Sequence, residues 1–137
     1  MKVSQIGTST LIIVGIVALL VVWLNTNDIK TPLLILGLVL ILFYKLDVQV
    51  NDQNVKFRFG IGLIHRSIPL DQIVEAKAVR NVVWSGWGIR VDPNYTLYNV
   101  SGFDAVELTL KGKRRKVRIG TSAPQKLSQY INQKIVG

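Results

Sequence analysis

The side chains of this sequence that could do chemistry are mostly cations. Lys111, Lys113, Arg114, Arg115, Lys116 and Arg118 crowd eight consecutive positions. Strand alternation around Val117 and Ile119 puts Arg114, Lys116 and Arg118 on one sheet face. Beside an anionic lipid surface each such cation is worth ~1 kcal/mol. Lys56 and Arg58, on the polar side of an earlier alternating stretch, extend the same strip. These eight residues are the candidate lipid- or anion-binding set. The alternative is a solvated face partly neutralised by Glu107 across the hairpin, the usual fate of a charge run.

Catalytic chemistry finds no foothold. The 137 residues contain no cysteine, so disulfides, thiolate metal sites and thiol nucleophiles are excluded. His65 is the single histidine, which makes a zinc site implausible. Ser85 and Ser101 lack a histidine partner in any recognisable arrangement. Asp104 and Glu107 fall on opposite faces of one strand. Gly60-Ile-Gly62 lacks the third glycine and following helix of a phosphate loop. Its glycines suit a turn or bulge. Asp92-Pro-Asn94 reads as a turn, because oxygen ligands do not continue at alternate positions. The expectation is a non-enzymatic protein with no metal and no cofactor.

These groups must be positioned by the rest of the chain, which opens with apolar sequence. Ile6 to Leu24 is nineteen residues without a charge, and Pro32 to Tyr44 is apolar again. Nineteen helical residues cover ~28 Å, close to a hydrocarbon core of ~30 Å. No small-x-small cleavage site follows Trp23, which argues against a signal peptide. Two transmembrane helices, about 6–24 and 30–45, are therefore expected to form a hairpin over residues 1–45. Trp23, Tyr44 and Lys45 would sit at the membrane interfaces. Gly15 and Gly37, at similar depth, offer a close helix contact. Basic flanks at Lys2, Lys45, Lys56 and Arg58 put both termini and the remaining domain in the cytoplasm. The expected location is the inner (cytoplasmic) membrane, crossed twice.

From Leu46 the period changes to two. Leu46, Val48 and Val50, then Val55, Phe57 and Phe59, alternate with polar residues across the turn Asn51–Asn54. Further strands are expected at Leu63–Ile68, at Ile73–Val83 with Val74, Ala76 and Ala78 on one face, and at Ile89–Val91. Others follow at Tyr95–Val100, at Val106–Leu110 and around Val117–Ile119. Trp84 and Trp87 flank Ser85-Gly86 in a connection, where they serve either a lipid interface or core packing. Ser122 and Gln125 have capping-box spacing, and Leu127, Tyr130, Ile131 and Ile135 form one helical stripe over about 122–136.

Trp87-Gly-Ile-Arg90, Leu97-Tyr-Asn-Val-Ser-Gly102, Ala105-Val-Glu-Leu108 and Arg118-Ile-Gly-Thr121 together resemble the bacterial PH-like (pleckstrin-homology-like) domains of small membrane proteins. The resemblance covers roughly residues 46–136 and carries no assigned activity. It implies a membrane-anchored α+β fold: a two-helix transmembrane hairpin, then a seven-stranded bent sheet or open β-barrel over 46–137, capped by a C-terminal helix. With the charge of +9, the expected function is a non-enzymatic, membrane-anchored binding module. It would engage a membrane-protein partner at the cytoplasmic surface or, alternatively, read anionic lipid head groups of the bilayer through its basic face. Nucleic acid ranks below both, since no recognition motif accompanies the charge.

Overall fold

Alternating strands build two sheets in the computed structural model, which describes residues 1–24, 27–82 and 88–136. In chain order the elements are β1 (Lys2–Ile6), α1 (Thr8–Trp23), α2 (Lys30–Phe43), β2 (Lys45–Val50), β3 (Asn54–Phe59) and β4 (Ile64–Pro69). After a 3-10 turn at Leu70–Gln72 come β5 (Ile73–Arg80), β6 (Gly88–Val91), β7 (Tyr95–Asn99), β8 (Asp104–Leu110), β9 (Lys116–Gly120) and α3 (Pro124–Val136). The first sheet runs β1-β2-β3-β4, antiparallel throughout. The second runs β5-β8-β9-β7-β6, with β7 and β9 parallel and the other pairs antiparallel.

One buried cluster joins the two sheets. Leu46, Val48 and Val50 of β2 and Val55, Phe57 and Phe59 of β3 meet Val106, Leu108 and Leu110 of β8 and Val117 and Ile119 of β9. These are the i, i+2 positions that a pleated strand presents to one side. Full burial of each such side chain is worth roughly 1.5–3 kcal/mol over exposure. Leu127 and Ile131 of α3 complete the cluster. Val74, expected on the inner face with Ala76, is 54% exposed. A register shift between Ile73 and Glu75 explains it: the irregularity turns Val74 outward, while Ile73 and Ala76 stay buried. At the start of α3 the hydroxyl that accepts a backbone N–H is Thr121's, from Ala123 at 3.1 Å, rather than Ser122's.

The expected transmembrane hairpin is overturned. Helix α1 has 16 residues and α2 has 14, rises of about 24 and 21 Å against a ~30 Å hydrocarbon core. Among the described residues no helix is long and apolar enough to cross a membrane. The physical reason lies at the base of the pair. Residues 2–6 form a strand that pairs with β2, in a register running from Lys2↔Gln49 to Ile6↔Lys45. The sheet thus takes Ile6 from one expected helix and Lys45 from the other. The two-pass inner-membrane location rested on two crossings and falls with them. The membrane-anchored fold falls too, and so does the resemblance to small PH-like membrane proteins. What stands in their place is an α+β architecture of nine described strands in two sheets, with β1 preceding the helices.

Helices α1 and α2 lie antiparallel and grow out of the first sheet. The Gly7 N–H donates to the Tyr44 carbonyl at 2.7 Å, and the Gly60 N–H to the Lys45 carbonyl at 2.8 Å. Gly60 has φ +49°, and a Cβ there would collide with the Ile41 carbonyl oxygen. Glycine at this position lets the end of β3 pass directly under the last turn of α2. A second set of bonds ties β1 and α1 to the segment after β7. Thr10 Oγ1 donates to the Val100 carbonyl at 2.9 Å, and Gln5 Nε2 donates to the Ser101 carbonyl at 2.9 Å.

Candidate functional site

The outer face of the first sheet carries a polar array that register alone specifies. Directly paired residues share a face, so Lys2, Gln49, Lys56 and Ser67 form one row across β1, β2, β3 and β4. Ser4, Asp47, Arg58 and His65 form the next. A concavity of about 600 Å³ opens over this face.

Asp47 organises the array. The residue is 4% exposed; its carboxylate accepts a short bond from Ser4 Oγ and lies 3.2 Å from Lys45 Nζ and 3.5 Å from Arg58 Nε. Burial is the largest influence and raises its pKa, but the Ser4 bond, the Lys45 bond and charge, and the charge of Lys2 together outweigh burial and hold it below the ordinary carboxylate value. Lys2 and Lys56 are exposed and have no ion-pair partner among the described residues. Four cations (Lys2, Lys45, Lys56, Arg58) thus face one carboxylate.

The eight candidate cations do not form one strip. Lys56 and Arg58 belong to the first sheet, while Lys116 and Arg118 belong to β9 of the second. Lys111, Lys113, Arg114 and Arg115 occupy the exposed β8–β9 turn. That turn lies where Lys111 N–H reaches the Gln72 carbonyl, at the end of β8 opposite to Asp104 and the α1 contacts. Arg118 is not free for a ligand. Its Nε is 2.7 Å from Glu107 Oε2, its guanidinium carbon lies 3.9 Å from the Tyr95 ring centre, and its Nη1 donates to Asn81 Oδ1 at 3.2 Å. Lys116 Nζ adds a contact to Glu107 Oε1 at 3.3 Å. Burial is the largest single influence on the Glu107 pKa and raises it, but the bonds and charges of Arg118 and Lys116 together outweigh it and leave the pKa below its ordinary value.

The second feature is the surface of the helical pair. Leu11, Ile12 and Ile13 are successive and all exposed; at ~100° per residue they already span ~200° of α1. Leu19 is 73% exposed and, on α2, Leu34 is 74% exposed. Trp23 ends α1 almost fully exposed. Tyr44 is half-buried, with Lys45 Nζ 5.7 Å from its ring centre. A Cβ on Gly15 or Gly37 would meet nothing within 4 Å, so the space there does not require glycine. Trp84 and Trp87 lie outside the described residues.

Comparison with family models, curated proteins and solved structures finds no match to this chain. Sequence reasoning weighed Lys2 only as a flank that sets orientation and His65 only as an implausible zinc ligand, and it did not single out Ser4, Asp47 or Ser67 as site residues. The signal was slight: Lys2-Val-Ser4 alternates, but Gln5 breaks the pattern and the apolar run that begins at Ile6 masks it.

Proposed function

We propose that the protein is a non-enzymatic binding module whose helical pair is gripped by a protein partner. The observation that carries this is the exposed apolar surface on both helices, which continues round α1 past half its circumference. Contiguous apolar surface of this kind marks an interaction site. The chain has no charge between Lys2 and Asp28, or between Lys30 and Lys45. The complementary partner therefore offers a charge-free apolar groove, because a charged one would bury ions without counter-ions. It closes around the helices rather than touching one stripe. Hydrogen bonds at the root fix the pair on the body, so little ordering is left to oppose association.

The test uses the full chain carrying a photo-crosslinking residue at Leu19 or Leu34, with Lys77 on β5 as the body control. The expected result is one discrete protein adduct from both helical positions and none from Lys77. The crosslinked protein, once purified, should bind the full chain, and Leu20→Glu should weaken it by roughly tenfold or more. Adducts to lipid alone, or a partner indifferent to Leu20→Glu, would sink the proposal.

A further inference from the structure

We propose that the outer face of the first sheet binds a phosphate-type anion, held by Lys2, Lys56 and Arg58 with Ser67 and His65 at its edge. This surface is separate from the helical pair, and the inference holds whether or not the pair has a protein partner.

Three observations carry it. The face is concave, and its concavity of about 600 Å³ is large enough for a phosphate ester and its first waters. Two rows of four residues across four strands bring ammonium, guanidinium, hydroxyl and imidazole groups to one side, so a ligand there meets donors from every strand of the sheet. The cations also outnumber the carboxylates, since Asp47 is the one acid among the paired residues and is already occupied by Lys45, Arg58 and Ser4. Lys2 and Lys56, adjacent to Gln49 in the register, are left to an external anion.

Arg58 is oriented for this role. Asp47 faces its Nε, at 3.5 Å, which leaves the terminal nitrogens for the forked hydrogen bonding that guanidinium gives to phosphate oxygens. Its side chain remains 54% exposed. His65 Nδ1 is 3.0 Å from the Gly62 carbonyl; a carbonyl only accepts, so Nδ1 carries the hydrogen, and Nε2 of the neutral ring accepts from a water or a ligand hydroxyl at the edge of the site rather than donating to a phosphate oxygen. The β8–β9 turn has as many cations, but its loop offers no such array and its strand neighbour Arg118 is already engaged. The shared ligand chemistry is a phosphate group, whether on a soluble ester or on a lipid head group.

The experiment titrates the full chain with pyrophosphate by calorimetry. In parallel it measures sedimentation with vesicles of phosphatidylcholine alone and with added phosphatidic acid. Lys2→Met/Lys56→Met and the single change Lys56→Glu are compared with Arg114→Ala/Arg115→Ala at the far turn, with thermal unfolding as the fold control. If the double variant does not fold, Lys56→Glu alone decides. The anion-dependent binding should fall by roughly tenfold in the face variants, weaken with salt and survive in the turn variant. Loss of the pyrophosphate signal identifies a soluble phosphate compound; loss confined to the acidic vesicles identifies a lipid head group. Absence of binding to both probes, or equal loss in the turn variant, overturns the site.

Discussion

The side-chain amide of Asn132 in α3 satisfies both backbone groups of Ala76 in β5, accepting its N–H at 2.9 Å and donating to its carbonyl at 2.8 Å. Strand β5 is an edge of the second sheet, and this pair of bonds substitutes a side chain for the missing neighbour strand. The helix thereby covers an edge that would otherwise be open to pairing with another chain.

Asn132→Ala should destabilise the fold by about 1–3 kcal/mol, because the N–H and carbonyl of buried Ala76 lose their partners together. Chemical denaturation reads the loss. A variant within ~0.3 kcal/mol of the parent would mean that water replaces the amide without penalty.

Gly60→Ala should cost more, roughly 2–4 kcal/mol, because it combines a positive φ with a collision against the Ile41 carbonyl. Gly112→Ala is the matched control: φ is +67° but a Cβ meets nothing within 4 Å, so only the ~1–2 kcal/mol left-handed penalty applies. Equal losses from the two changes would refute the close passage of β3 beneath α2.

Acid should weaken the protein through Glu107. Its pKa in the fold lies below the ordinary 4.5, so its contribution is fully present above that value and is lost as pH falls through the folded pKa. Glu107→Gln should be less stable at neutral pH by about 1 kcal/mol, a modest figure because the pair is partly solvated. The gap to the parent should close in acid. Unfolding midpoints measured down the pH scale check this, and a gap that widens in acid contradicts the sign.

Thr10→Val keeps the shape of the side chain and removes the bond to the Val100 carbonyl. A loss of about 1–2 kcal/mol is expected. Hydrogen exchange should also quicken at the base of α1 while the β2–β3 ladder is unaffected. Uniform quickening everywhere would show that the helical pair does not open separately.

Local pattern made part of this architecture readable. Val55, Phe57 and Phe59 alternate with Lys56 and Arg58, and Leu127 and Ile131 are one helical turn apart; in both cases the burying face is written in adjacent residues. Non-local pairing was not readable. Lys2–Ile6 becomes a strand only because β2, more than forty residues later, lies beside it, and that pairing shortens both helices. Which sheet a strand joins is equally invisible in local spacing, and so Lys56 and Arg58 were grouped with cations that lie on another sheet. For Arg118 the sequence shows only Glu107 across the hairpin; its Tyr95 and Asn81 contacts come from distant segments.

The antiparallel ladder between β1 and β2 also bears on the order in which the chain should fold. Strands β2, β3 and β4 pair through short turns, whereas Lys2 must find Gln49 across an intervening chain whose closure entropy grows with its length. Once α1 and α2 have docked, their antiparallel course brings Ile6 to Lys45, and the remaining search is short. A variant whose helices dock slowly should therefore zip β1 into the sheet late and leave the β2 edge transiently open, the stage at which such edges recruit other chains.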